Sequence, residues 1–283
     1  MTSYDEQPPK TPPAYRFNDP RQERIHRRLL LVGSGPAAFY RDVCRLMAGP
    51  LVDATTHLVA HLLREIESAI RDVLLPRGHV EPKGKGKHRA EIVAILRAYS
   101  IGPSDPAAVA WLRLSDEAHD ERLAPFAHRD SLGAPRRLID TFREFVTEVE
   151  AIFDVVLQRF EGRFLGSLPV IDELLKKTPP TEADVKVLRG RVPNNDITFE
   201  YFFARADAPE WVELLAAEGF FTRPPDPVRD DEKGAIRFPP WPESRYLSRI
   251  ADRGELQRRV VELALAIPDT ANINVHEDVC PAL

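Results

Sequence analysis

Two arginine–histidine pairs carry the most direct chemical suggestion in this chain: Arg113 with His119, and Arg122 with His128, each pair separated by five residues. Histidine can move a proton near neutral pH and arginine can stabilise the charge of a phosphorane-like transition state, so the combination suits phosphodiester cleavage. The neighbouring residues allow a plainer reading. Arg113, Asp116, Glu117, Arg122 and Asp130 can form surface ion pairs along a connection from Ser115 to Pro135, while the histidines pack or hydrogen-bond locally.

Three further constellations could do chemistry. His57, His61 and Glu65 stand four residues apart, hence along one side of a helix, where two histidines can share a metal. No second histidine pair supplies the remaining ligands, so surface or boundary histidines are expected and no metal site is assigned. The stretch from Leu29 to Ala38, centred on Gly33-Ser34-Gly35 with Asp53 downstream, looks like the glycine-rich turn of dinucleotide-binding folds. It lacks the second parallel strand that the chemistry needs, so a helix–turn–helix corner is expected there and no cofactor. Lys83, Lys85, Lys87, His88 and Arg89 form the one dense basic cluster, able to grip phosphates or simply to stay solvated; without interleaved aromatics it does not support sequence-specific single-strand recognition. Phosphate-loop, nucleophile-elbow, His-Glu-x-x-His and kinase motifs are absent from the sequence, which removes ordinary ATPase, hydrolase and metalloprotease readings.

The elements that must position these residues are helical. From Thr141 to Leu165 the apolar side chains Phe142, Phe145, Val146, Val149, Ile152, Phe153, Val156, Leu157, Phe160 and Phe164 repeat with the 3.6-residue period. So large an apolar stripe needs other helices to cover it, which predicts an all-α helical bundle. Shorter helices are expected over about 24–32, from Pro36, over 56–75, around 92–99, from Asp105-Pro106, and over 168–176. Ser34 is read as a cap. The pair Pro179-Pro180 marks a boundary. Beyond it, helices over 182–188, 199–206, 208–218, 242–251 and 255–266 follow in a different rhythm. There Asp207 and Glu210 have the spacing of a reciprocal cap, and Trp211 and Trp241 begin comparable helices, as in a short stack of HEAT-like helix pairs. The expected organisation is therefore a disordered or extended tail (1–22), a helical bundle (23–178) and a helical-repeat-like domain (179–283). The segment 223–242 projects an acidic middle between turns anchored by Phe238 and Trp241, and Val275 to Leu283 reads as the start of another helix, either continuing into a longer ancestral protein or docking on a partner.

Composition sets the outer limits. With 283 residues and 43% hydrophobic content the chain can bury a large core, and 44 acidic against 39 basic residues give a net charge of −5, which argues against a dominant attraction to nucleic acid or anionic lipid. Two cysteines, Cys44 and Cys280, are too few for a disulfide framework and suit a reducing cytoplasm. Apolar runs such as Leu29 to Val32 are far below the roughly 20 residues that span a bilayer, so no membrane association is expected.

Two resemblances add to this. The Arg–His pairs beside a long helix resemble the HEPN group of RNA-cleaving and toxin domains, which carry an arginine, four to six intervening residues and a histidine. Here Leu114 stands where that group usually has a polar residue. The resemblance covers at most residues 55–165 and implies an RNA-cleaving module, possible in host defence, with Arg113 or Arg122 and His119 or His128 acting in a dimeric cleft. Stretches starting at Thr56 (Thr-His-Leu-Val-Ala-His-Leu-Leu-Arg), Val192 (Val-Pro-Asn-Asn) and Pro240 (Pro-Trp-Pro-Glu-Ser-Arg-Tyr-Leu) resemble the N-terminal region of large uncharacterised bacterial helical proteins. That likeness implies a bacterial, cytoplasmic, helical protein and supplies no mechanism. The architecture itself, a bundle joined to a short repeat stack, leads to the expectation of a non-enzymatic scaffold or adaptor offering apolar and acidic surfaces to a protein partner, with a homodimer compatible and RNA a partner only under the nuclease reading.

Overall fold

The computed structural model describes residues 15–50, 52–77, 79, 86–115, 140–230 and 235–282. Among these the chain is all-α: α1 (Pro20–Val32), α2 (Ser34–Ala48), α3 (Thr55–Leu74), α4 (Lys87–Ala98), α5 (Pro106–Leu114), α6 (Asp140–Leu175), α7 (Glu182–Arg191), α8 (Asp196–Phe203) and α9 (Trp211–Ala217) precede one small hairpin, β1 (Val228–Asp230) and β2 (Ala235–Arg237). Helices α10 (Pro242–Ala251), α11 (Gln257–Leu265) and α12 (Ile273–Val279) follow, and Cys280–Ala282 is a single 3₁₀ turn. The chain divides into two compact units, each drawn from two segments: Met1–Ile70 with Pro103–Gln158, and Arg71–Gly102 with Arg159–Leu283. No described helix is long and apolar enough to cross a membrane.

In the first unit, α1 starts where Asp19 accepts the Arg21 N–H at 2.7 Å and Pro20 occupies the first turn. Leu29 to Val32 are helical, and extended Gly33 passes the chain straight into α2, so this stretch is the corner expected from its sequence and not the end of a strand. Ser34 is not the cap. It already lies in the first turn of α2, and Gly33 holds the capping position without a side chain to offer. Buried Ile25, Leu29, Tyr40 and Val43 come from this corner, Val59, Leu63 and Ile66 from α3, Trp111 from α5, and Phe142, Val149, Phe153 and Val156 from α6. A polar seam ties the corner to α6. Arg28 donates to the Asp154 carboxylate at 2.5 Å and to its carbonyl at 3.1 Å, Arg24 reaches the other Asp154 oxygen at 3.1 Å, and the Tyr40 hydroxyl donates to Glu150 at 2.8 Å. Burial lifts the Glu150 carboxyl above the usual glutamate range against the hydrogen bonds from Tyr40 and Gln22. Burial first, then Glu150, pushes the adjacent Cys44 thiol up to about 12.

The second unit is organised around aromatic residues. Phe199, Phe202, Phe203, Trp211, Phe221 and Tyr246 form one buried cluster, with edge-on contacts such as Phe202 to Trp211 at 5.1 Å. Helix α10 packs on α8, α11 and α12, while α7 meets α9. The separate helix expected over 168–176 is instead the end of α6, which runs on through Pro169. Proline removes one helical N–H, but Leu165, whose carbonyl would have accepted it, and Pro169 are both exposed to water, and Ser167 donates to the Phe164 carbonyl at 2.7 Å.

Caps set the remaining boundaries. Thr181 and Asp184 make a reciprocal box at α7, and Asn195 accepts the Thr198 N–H at 2.9 Å to start α8. The box expected from Asp207 and Glu210 does not form, because α9 begins only at Trp211 and Asp207 accepts from Arg249 at 2.6 Å and Arg253 at 2.8 Å. The segment after Arg223 contains the antiparallel pair β1 and β2, with Val228 opposite Arg237. Fully buried Asn272 then donates to the Pro225 carbonyl at 3.0 Å and the Pro239 carbonyl at 2.8 Å, and Trp241 is core, 1% exposed.

Candidate functional site

Of the four residues proposed for RNA chemistry, Arg113 alone lies within the described residues; His119, Arg122 and His128 lie outside them. Arg113 sits in the last turn of α5, two residues before Ser115, which closes that helix by donating to the Leu112 carbonyl. One guanidinium nitrogen contacts both oxygens of Glu148 on α6, each at 2.5 Å. Two residues earlier stands Trp111, whose indole donates to Glu67 at 3.0 Å, so the end of α5 is anchored by two carboxylates.

His57, His61 and Glu65 lie along α3 as the spacing requires, with His57 half-buried and His61 exposed. The described residues contain no group of three or more histidine, cysteine or acidic side chains placed to hold a metal.

The basic cluster contributes to a different kind of site. Lys87, His88 and Arg89 are the opening turn of α4, preceded by Gly86 in the left-handed conformation (φ 91°) with no side-chain cap. Helix α4 turns Ile92, Ile95 and Leu96 inward, while Arg89, Ala90, Val93, Ala94 and Arg97 share the opposite side at spacings of three and four. With His79 and Gly86 these residues line an open groove of about 530 Å³. Its floor is the apolar Ala90, Val93 and Ala94. Among the described residues Arg97 carries no side-chain ion pair, and the buried Nε2 of His79 has no hydrogen-bond partner.

Buried charges hold this helix in place. Arg71 of α3 pairs with Glu91, and the same guanidinium lies 2.7 Å from the His88 ring. Burial works to raise the Glu91 carboxyl, but the hydrogen bond from His88 and the Arg71 charge outweigh it and hold it below the usual range. At the far end Asn195 donates to the Tyr99 hydroxyl at 3.1 Å, and Arg163 donates to the Ala98 carbonyl.

No motif in the sequence marks a second buried charged centre. Arg77, just past α3, donates to nearly inaccessible Glu243 at 2.7 Å, lies 3.2 Å from Asp196 and stacks over the Phe199 ring at 4.7 Å. Its backbone N–H donates to Asn194 O, and the Asn194 amide donates to Arg77 O. Desolvation would lower the Arg77 pKa; the Glu243 carboxylate, then Asp196, overrides it and keeps the guanidinium charged. The partners are more than a hundred residues away along the chain, and the one local signal is a lone glutamate inside the proline- and tryptophan-rich stretch at 239–243. No family model, no curated protein and no solved structure matches this chain.

Proposed function

We propose that this chain is a non-enzymatic, all-α scaffold or adaptor that docks a protein partner, in a bacterial cytoplasmic setting. The groove along α4 carries the reading. A catalytic centre draws its power from groups shielded from water, whereas an open groove with an apolar floor and polar ends suits the docking of a peptide segment. Buried ionic groups elsewhere support the same view, since Arg28 with Asp154, Arg71 with Glu91 and Arg77 with Glu243 each tie one element to another. The Arg113 pairing with Glu148 favours the surface-ion-pair reading of that region over the HEPN-like one.

A photo-crosslinking amino acid placed at Ala94 in the native host tests the reading. A discrete crosslinked protein product is the expected result. RNA cleavage by the purified chain that disappears in His119→Ala or His128→Ala would overturn it in favour of the nuclease.

A further inference from the structure

We infer that residues 15–19 form a releasable strap across α2 that gates Cys44 and the ring of Tyr40, opening this face while the rest of the first unit stays folded. Exposure alternates along the segment. Tyr15, Phe17 and Asp19 are half-buried while Arg16 and Asn18 are exposed, the two-residue period of an extended chain lying on a surface. Its inward side chains fix the path. The Arg45 guanidinium sits over the Tyr15 ring at 5.5 Å, Phe17 stacks on Tyr40 at 6.4 Å and meets His26 at 4.9 Å, and Asp19 ends the segment as the cap of α1. The five positions from Tyr40 to Arg45 rise about 7.5 Å on a helix, and the two residues from Phe17 back to Tyr15 cover about 6.8 Å when extended. The strap therefore runs antiparallel to α2, with its anchors matched to that helix.

Cys44 lies beneath that path. It stands one helical turn beyond Tyr40 and next to Arg45, between the two anchors, and is 2% exposed. Burial, then the neighbouring Cys44, pushes the Tyr15 hydroxyl above its ordinary range, as expected of a ring set beside the thiol. What holds the strap is weak beside what holds the unit. Among the described residues, Tyr15, Arg16, Phe17 and Asn18 make no hydrogen bond, so ring contacts and one cation–π contact supply the attachment. The helices under it are tied to α6 by the Arg28 pair with Asp154 and the Tyr40 bond to Glu150. A segment with few buried contacts and no backbone bonds opens at a lower free energy than the core around it, so the strap lifts first.

The reaction of Cys44 with a disulfide reagent that releases a coloured thiolate tests this, in the full chain carrying Cys280→Ser and over a series of urea concentrations. The rate should be flat at low urea and turn steep only near the unfolding transition, because lifting the strap exposes little surface. Phe17→Ala should raise the low-urea rate by about tenfold, and Arg45→Ala should raise it by less. Val59→Ala, which opens a cavity in the core of the same unit, should lower the urea midpoint and leave the low-urea rate unchanged. Circular dichroism establishes that each variant is folded. The inference is overturned if Cys44 reacts at low urea only with the full slope of unfolding, or if Phe17→Ala accelerates it by no more than its loss of global stability accounts for. Equal acceleration by Val59→Ala and Phe17→Ala would overturn it as well.

Discussion

Glu150 keeps its proton where an ordinary glutamate would have released it. Burial is the main cause, and Tyr40 and Gln22 only partly offset it. In the pH window from the usual glutamate value up to the raised native one, the native state binds more protons than the unfolded chain, so stability falls as pH rises through that window. Glu150→Gln retains an acceptor for the Tyr40 hydroxyl and removes the titration. Urea unfolding from mildly acidic to neutral pH should therefore show the variant gaining on the parent protein as pH rises, and parallel curves would refute the assignment. The same residue scale explains what the sequence concealed. Arg113 looked available because Glu148, its partner, lies 35 residues further along, and no local pattern records that pairing.

Ser100 ends α4 at the scale of the element. It takes a left-handed conformation (φ 56°), its N–H reaches the Arg97 carbonyl at 3.2 Å, and the Ile101 N–H reaches the Leu96 carbonyl at 2.9 Å, the double bond of a Schellman close. Glycine fits that conformation without the clash a Cβ brings. Ser100→Gly is expected to stabilise the protein by about 0.5 kcal/mol after the extra freedom of its unfolded chain is subtracted, read as a higher urea midpoint at constant slope. Elements defined by local rules were the legible ones. Pro242 to Ala251 is a helix over the span its sequence suggested, and Asp105-Pro106 starts α5 as expected, with Asp105 accepting the Ala107 N–H. The run through Pro169 was illegible because the exposure of Leu165 and Pro169, which leaves the freed carbonyl to water, is set by packing and not by the local sequence. Strands of three residues, like β1 and β2, are too short to show an alternation.

At the scale of the whole molecule, periodicity tells which faces must be covered but not by which distant segment. The first unit is drawn from either side of residues 71–102, and the second joins 71–102 to residues 159–283, a pattern that local periodicity does not express. The groove escaped notice for a related reason, since it needs His79 and α4 together and the sequence offered only a row of basic residues. Cys44, 2% exposed in the first unit, and Cys280, exposed in the second, turn the pair of thiols into a built-in stopwatch. An alkylating reagent should consume Cys280 at once and wait for Cys44 until that unit breathes open, so the lag between the two adducts in a mass spectrum times the opening directly; equal rates in native buffer would show that the Cys44 thiol is not shut away.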